Sequence, residues 1–101
     1  MQINEEKFRD FFLSVVERDR TVLQALTDEV IEWRKKVEEN TMAIEIADAI
    51  IQKGEEVTHQ FDEAVAALET DSNKAVDLWR KAEGECKELE DAMRRVRRYG
   101  E

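Results

Sequence analysis

Residues 41–69, TMAIEIADAIIQKGEEVTHQFDEAVAALE, carry the pattern that decides the fold. Ala43, Ala47, Ile50, Gly54, Val57, Phe61, Ala64 and Leu68 recur at alternating steps of four and three. That spacing returns to one side of an α-helix every two turns, so these residues form a seam against a neighbouring helix. Gly54 stands inside the seam, and the periodicity crosses it without a change of phase. This argues for an unbroken helix with a close backbone approach at Gly54 rather than for a helix end. Ile44, Ile51, Thr58 and Val65 form a second stripe beside the first. An apolar face this wide suits a helix with neighbours on two sides, as in a three-helix bundle or an oligomer.

The spacing continues upstream through Phe8, Phe12, Val15, Asp19, Val22, Leu26, Val30, Trp33 and Val37. Asn4 is the expected N-cap, Glu5 and Glu6 follow at the positive end of the helix dipole, and Ile3 with Phe8 matches a hydrophobic staple. Asn40 is the expected end of this helix, because Asn tolerates the left-handed conformation. Asp19 is out of place in an apolar seam. Either the helix breaks there and restarts with Thr21 and Gln24 as its cap, or Asp19 pairs with an arginine across the interface. No Gly or Pro marks a turn, which favours a continuous helix.

Downstream, Thr70-Asp71-Ser72-Asn73 reads as a loop. A third seam follows at Ala75, Trp79, Ala82, Cys86, Leu89, Met93 and Val96. Proline, which would break any of these helices, is absent from all 101 residues. The expected fold is all-α: one domain over 1–101, an antiparallel three-helix bundle, coiled-coil-like with a left-handed supercoil. Its helices are placed at about 5–39, 41–69 and 73–98. The alanines make the seams narrow and leave a monomer short of core. The wide face of the middle helix and the aromatic run at Phe8, Phe11 and Phe12 therefore predict self-association, most simply a homodimer.

The chain is 41% charged and 42% hydrophobic with a formal net charge of -9. So acidic a surface repels nucleic-acid phosphates and anionic membranes, and it suits a basic protein partner. Direct nucleic-acid or membrane binding is not expected. The longest apolar run, 64–68, is far too short to span a bilayer. One cysteine precludes an internal disulfide, and a reducing, cytoplasmic setting is the expectation.

Catalytic signatures are sparse. Cys86 lies in an apolar seam, where a thiol is inert. Ser14 and Ser72 have no evident base, and three glycines form no phosphate-cradling loop. Glu32 with Lys36 and Glu90 with Arg94 have the i, i+4 spacing of helix-supporting ion pairs. The basic run Arg94-Arg95-Val96-Arg97-Arg98-Tyr99 is favoured where it stands by the C-terminal end of the helix dipole.

Glu56 and His59 have the Glu-x-x-His spacing that places a carboxylate and an imidazole on one helix face. The segment 53–59, KGEEVTH, resembles the metal-binding helix of the encapsulated ferritin-like proteins, small helical hairpins that complete a di-iron site by pairing two chains. That resemblance implies metal binding at Glu56 and His59, with a further carboxylate from the first helix, Asp28 or Glu29.

The expected function is a non-enzymatic protein–protein interaction module: an adaptor, assembly factor, small chaperone or structural subunit. It needs no cofactor and uses Phe8, Phe11, Phe12, Ile44, Ile51 and Val65 as contacts. The alternatives are an acidic phage or mobile-element inhibitor filling the basic groove of a nucleic-acid-binding enzyme, and the ferritin-like di-iron protein.

Overall fold

The computed structural model describes residues 5–98 as three helices, α1 (Glu5–Lys36), α2 (Thr41–Ala67) and α3 (Ser72–Arg98). Asn4, Ile3 and Tyr99 lie outside the described residues. α1 runs without a break through Asp19. Cross-helix ion pairs set the directions. Arg20 pairs with Asp62 and Arg34 with Asp48, so an advance of 14 residues along α1 is a retreat of 14 along α2. Lys53 of α2 reaches Glu85 of α3 at 3.4 Å, and Asp19 of α1 meets Trp79 of α3. The order is up-down-up: α1 and α3 run parallel, and both are antiparallel to α2.

α1 ends earlier than its periodicity suggests, in a turn over 37–39. Asn40 does not close it in a left-handed conformation. It is extended, with φ −100° and ψ 103°, and its side chain accepts from the Ala43 N–H at 3.0 Å. Asn40 is therefore the N-cap of α2, the role for which Asn is equally suited. Asp71 does the same for α3, accepting from the Asn73 and Lys74 N–H groups at 3.0 and 3.2 Å.

The core contains the α2 seam from Ala47 onward, with Ala43 half-buried against it. Ala47, Ile50, Gly54, Val57, Phe61, Ala64 and Leu68 are buried. A Cβ built on Gly54 would sit 3.2 Å from Thr27 Oγ1, with Met93 Cε at 3.8 Å and Leu89 Cδ2 at 3.9 Å. Gly54 is thus a point where α1 and α3 both press on α2. The α3 seam is also as read, with Ala75, Ala82, Cys86, Leu89 and Met93 buried and Trp79 and Val96 half-buried.

The α1 seam differs at two positions. Val16 and Leu23 are buried, whereas Val15 is half-buried and Val22 is 38% exposed. The buried residues Phe12, Val16, Leu23, Leu26, Val30 and Trp33, with half-buried Asp19 between Val16 and Leu23, alternate four and three without a stutter. The choice of Val15 and Val22 needs two consecutive steps of four, Val22 to Leu26 to Val30, which would rotate the stripe off its neighbours.

The bundle measures 57 × 18 × 16 Å with a radius of gyration of 16.2 Å. A compact domain of this length has a radius near 13 Å. A rod of this kind has grooves along its sides and little room for a deep cleft.

Candidate functional site

The sole acidic residue on the α1 seam supplies the most distinctive polar arrangement. Asp19 does not pair with an arginine. Its Oδ2 accepts from the Trp79 indole N–H at 3.0 Å, across the α1–α3 interface. Two turns further along α3, the Cys86 thiol donates to Glu90 Oε1 at 3.3 Å. Burial raises the Asp19 pKa above the ordinary carboxylate value, and nearby Glu83 adds to the rise. The Trp79 hydrogen bond and the charges of Lys87 and Arg18 oppose it without cancelling it. Burial also pushes the Cys86 thiol up to about 12, helped by its bond to Glu90 and by the negative charges of Asp19 and Glu83. A thiol so shifted is not a nucleophile near neutral pH.

Around this cluster the charges are paired. Lys87 reaches Glu83 at 3.1 Å and Arg94 reaches Glu90 at 3.9 Å. The partner of Glu32 is Lys35, at 3.0 Å, rather than Lys36. On the α2–α3 side, burial works to raise the Glu85 pKa. The Gln60 side chain and the Lys53 ammonium outweigh it and hold the carboxyl below its usual range.

Glu56 and His59 are both exposed on α2. Glu56 pairs with Lys53 at 3.6 Å, and His59 Nε2 lies 3.0 Å from Glu63 Oε1. Asp28 accepts from Gln24 on its own helix at 2.9 Å. The described residues contain no group of three or more His, Cys, Asp or Glu side chains placed to hold a metal ion. The donor set that the ferritin-like resemblance implies is not brought together within one chain.

The six expected contact residues divide into three kinds. Phe12 is 5% exposed and belongs to the core, with Phe8 half-buried against it; their ring centroids are 6.1 Å apart at 38°, a tilted aromatic contact. Phe11 projects outward and is 67% exposed. Ile51 and Val65 are half-buried and pack on the core, and Ile44 is half-buried. The wide face of α2 is thus largely occupied by α1, because a third helix inside the same chain is the second neighbour it calls for. Met42 and Ile46, with 70% and 42% of their surface exposed, were not singled out by spacing; they flank the α2 seam on its outer edge.

At the α1 end that carries Phe11, two adjoining surface clefts open between α1 and the start of α3. They are lined by Glu5, Glu6, Glu69 and Asp71 around an apolar floor of Phe8, Leu68 and Val76. Arg9 bridges this end by pairing with Glu69. The described residues hold no helix long and apolar enough to cross a membrane. No protein-family model matches this chain, and neither does any curated protein or solved structure.

Proposed function

We propose that the chain is a non-enzymatic interaction module whose main contact is the aromatic corner at the start of α1. The observation that carries this reading is Phe11, 67% exposed one turn along α1 from the half-buried Phe8, which itself lines clefts that hold Glu5, Glu6, Asp71 and the Arg9–Glu69 pair. Exposed aromatics next to a polar rim are what partner surfaces are built from. The matching partner segment offers an apolar side chain to Phe11 and basic groups to Glu5, Glu6 and Asp71. The overall charge of -9 favours such a partner at long range.

Full burial of a Phe side chain contributes about 1.5–3 kcal/mol, so losing it weakens binding roughly tenfold to a hundredfold. The test compares wild type with Phe11→Glu in capture from the native host, with circular dichroism as a control and sedimentation of the pure protein alongside. The expected result is a defined partner retained by wild type and lost by Phe11→Glu, at unchanged helicity. If wild type itself sediments as a dimer that Phe11→Glu dissolves, the partner is a second copy. An identical partner profile and identical sedimentation for both proteins would refute the assignment.

A further inference from the structure

We infer that the Asp19–Trp79 hydrogen bond sets the axial register of α3 against α1. The two helices run parallel and are joined to each other only through α2, by the connections at 37–40 and 68–71. Beside Trp79 the α3 seam is small: Ala75, four residues before it, and Ala82, three after, are both fully buried. Against this background one polar group on α1 meets one polar donor on α3.

The donor is distinctive. Among Ala75, Trp79, Ala82, Cys86, Leu89, Met93 and Val96, Trp79 alone carries a side-chain N–H. A slip of one turn sets Ala75 or Ala82 opposite Asp19 and leaves a partly buried carboxylate without a donor, an arrangement that folded proteins avoid. A slip of one heptad toward the end of α3 sets Cys86 there, whose thiol already donates to Glu90, and brings Asp19 nearer the Glu90 carboxylate in addition to Glu83. Each of these three alignments is therefore disfavoured by the same carboxylate that the native register satisfies. A lone polar residue at a seam position acts in this way in coiled coils, giving up stability for a single alignment. Asp19 is the residue a stability-maximising seam would replace with Leu.

The test reads the alignment directly. In a Cys86→Ala background, nitroxide labels at Ser14 and Glu88, both exposed, sit on α1 and α3 with a separation along the axis of about 21 Å. The expected result is one narrow distance distribution for the parent protein and for Asp19→Asn, which keeps an acceptor for the indole. Asp19→Leu should melt at a higher temperature, yet show a broadened distribution or a second population displaced by about 5–10 Å, one turn to one heptad. Trp79→Phe should broaden the distribution as well, while melting lower. A single distribution identical to the parent's in both Asp19→Leu and Trp79→Phe would overturn the inference and assign the register to packing and loops. Should Asp19→Leu lose its helical spectrum, Trp79→Phe alone decides the matter by the same readout.

Discussion

Gly54 and Gly84 lie mid-helix in the same protein, and replacing each by Ala isolates what tertiary packing adds to helix propensity. Gly in a helix interior is less favourable than Ala by about 0.8–1.0 kcal/mol. Gly84 has nothing within 4 Å of an added Cβ and is exposed. Gly84→Ala should therefore recover the whole propensity difference, about 1 kcal/mol. With an unfolding entropy of about 2.1 cal/mol/K per residue, that raises Tm by roughly 5 °C. Gly54→Ala gains the same propensity but brings the new methyl to 3.2 Å from Thr27 Oγ1. The hydroxyl has little freedom to yield, because it donates to the Leu23 carbonyl at 2.8 Å and Thr is stiff at χ1. The contacts to Met93 and Leu89 are ordinary and mildly favourable.

Gly54→Ala should consequently lie within about 1 kcal/mol of wild type and below Gly84→Ala. Gly54→Leu, which overpacks the three-helix contact, should cost about 1–3 kcal/mol or more. Urea unfolding followed by circular dichroism measures all three. The double variant Thr27→Ala with Gly54→Ala should show a favourable coupling of about 0.5 kcal/mol or more, because the two residues touch. Equal stabilisation by the two Gly→Ala changes, with Gly54→Leu as stable as wild type, would refute the close approach of helices at Gly54.

Asp19 has a raised pKa in the folded state, so its protonated form is favoured by folding; the associated stability is present below the unfolded pKa and lost as pH rises through the folded value. Asp19→Asn should accordingly raise Tm at pH 7, and its advantage should vanish near pH 3, as thermal melts at the two pH values would show. Trp79→Phe removes a hydrogen bond to a charged acceptor and should cost about 1.5 kcal/mol at neutral pH by urea unfolding. Phe61→Ala, at a fully buried site, should cost about 3–5 kcal/mol by the same measurement. Cys86, with its thiol pushed up to about 12, should resist a disulfide reagent at pH 8 in the native protein and react at once in denaturant.

Much of the fold was legible in periodicity. The α2 and α3 seams needed only the four-three rule, and the reading of Gly54 as packing followed from an unbroken phase. The α1 seam was misassigned at Val15 and Val22 because each stands next to another apolar residue, Val16 or Leu23, and local spacing admits both pairs. Counting back from Trp33 through Val30 and Leu26 without a stutter would have selected Leu23 and Val16. The candidate site was less legible. Phe11 could be named as apolar and near the start of α1, but its exposure depends on where α2 and α3 leave room. Met42 and Ile46 gave no signal, since an apolar residue at the edge of a seam reads the same whether covered or bare.

Chain chemistry alone determined three helices, the α2 and α3 seams and the loop that joins α2 to α3, because helix period and local backbone hydrogen bonding depend on neighbours only a few residues away. The α1 seam at Val16 and Leu23 and the capping role of Asn40 emerged only in the folded chain. Only the tertiary structure decided the partner of Asp19. Sequence spacing shows that a carboxylate lies on a seam, whereas the nearest donor is 60 positions distant and becomes its neighbour through the parallel alignment of α1 and α3. The same holds for the wide face of α2, which α1 covers within the chain, leaving Phe11, among the described residues, as the aromatic side chain turned to solvent.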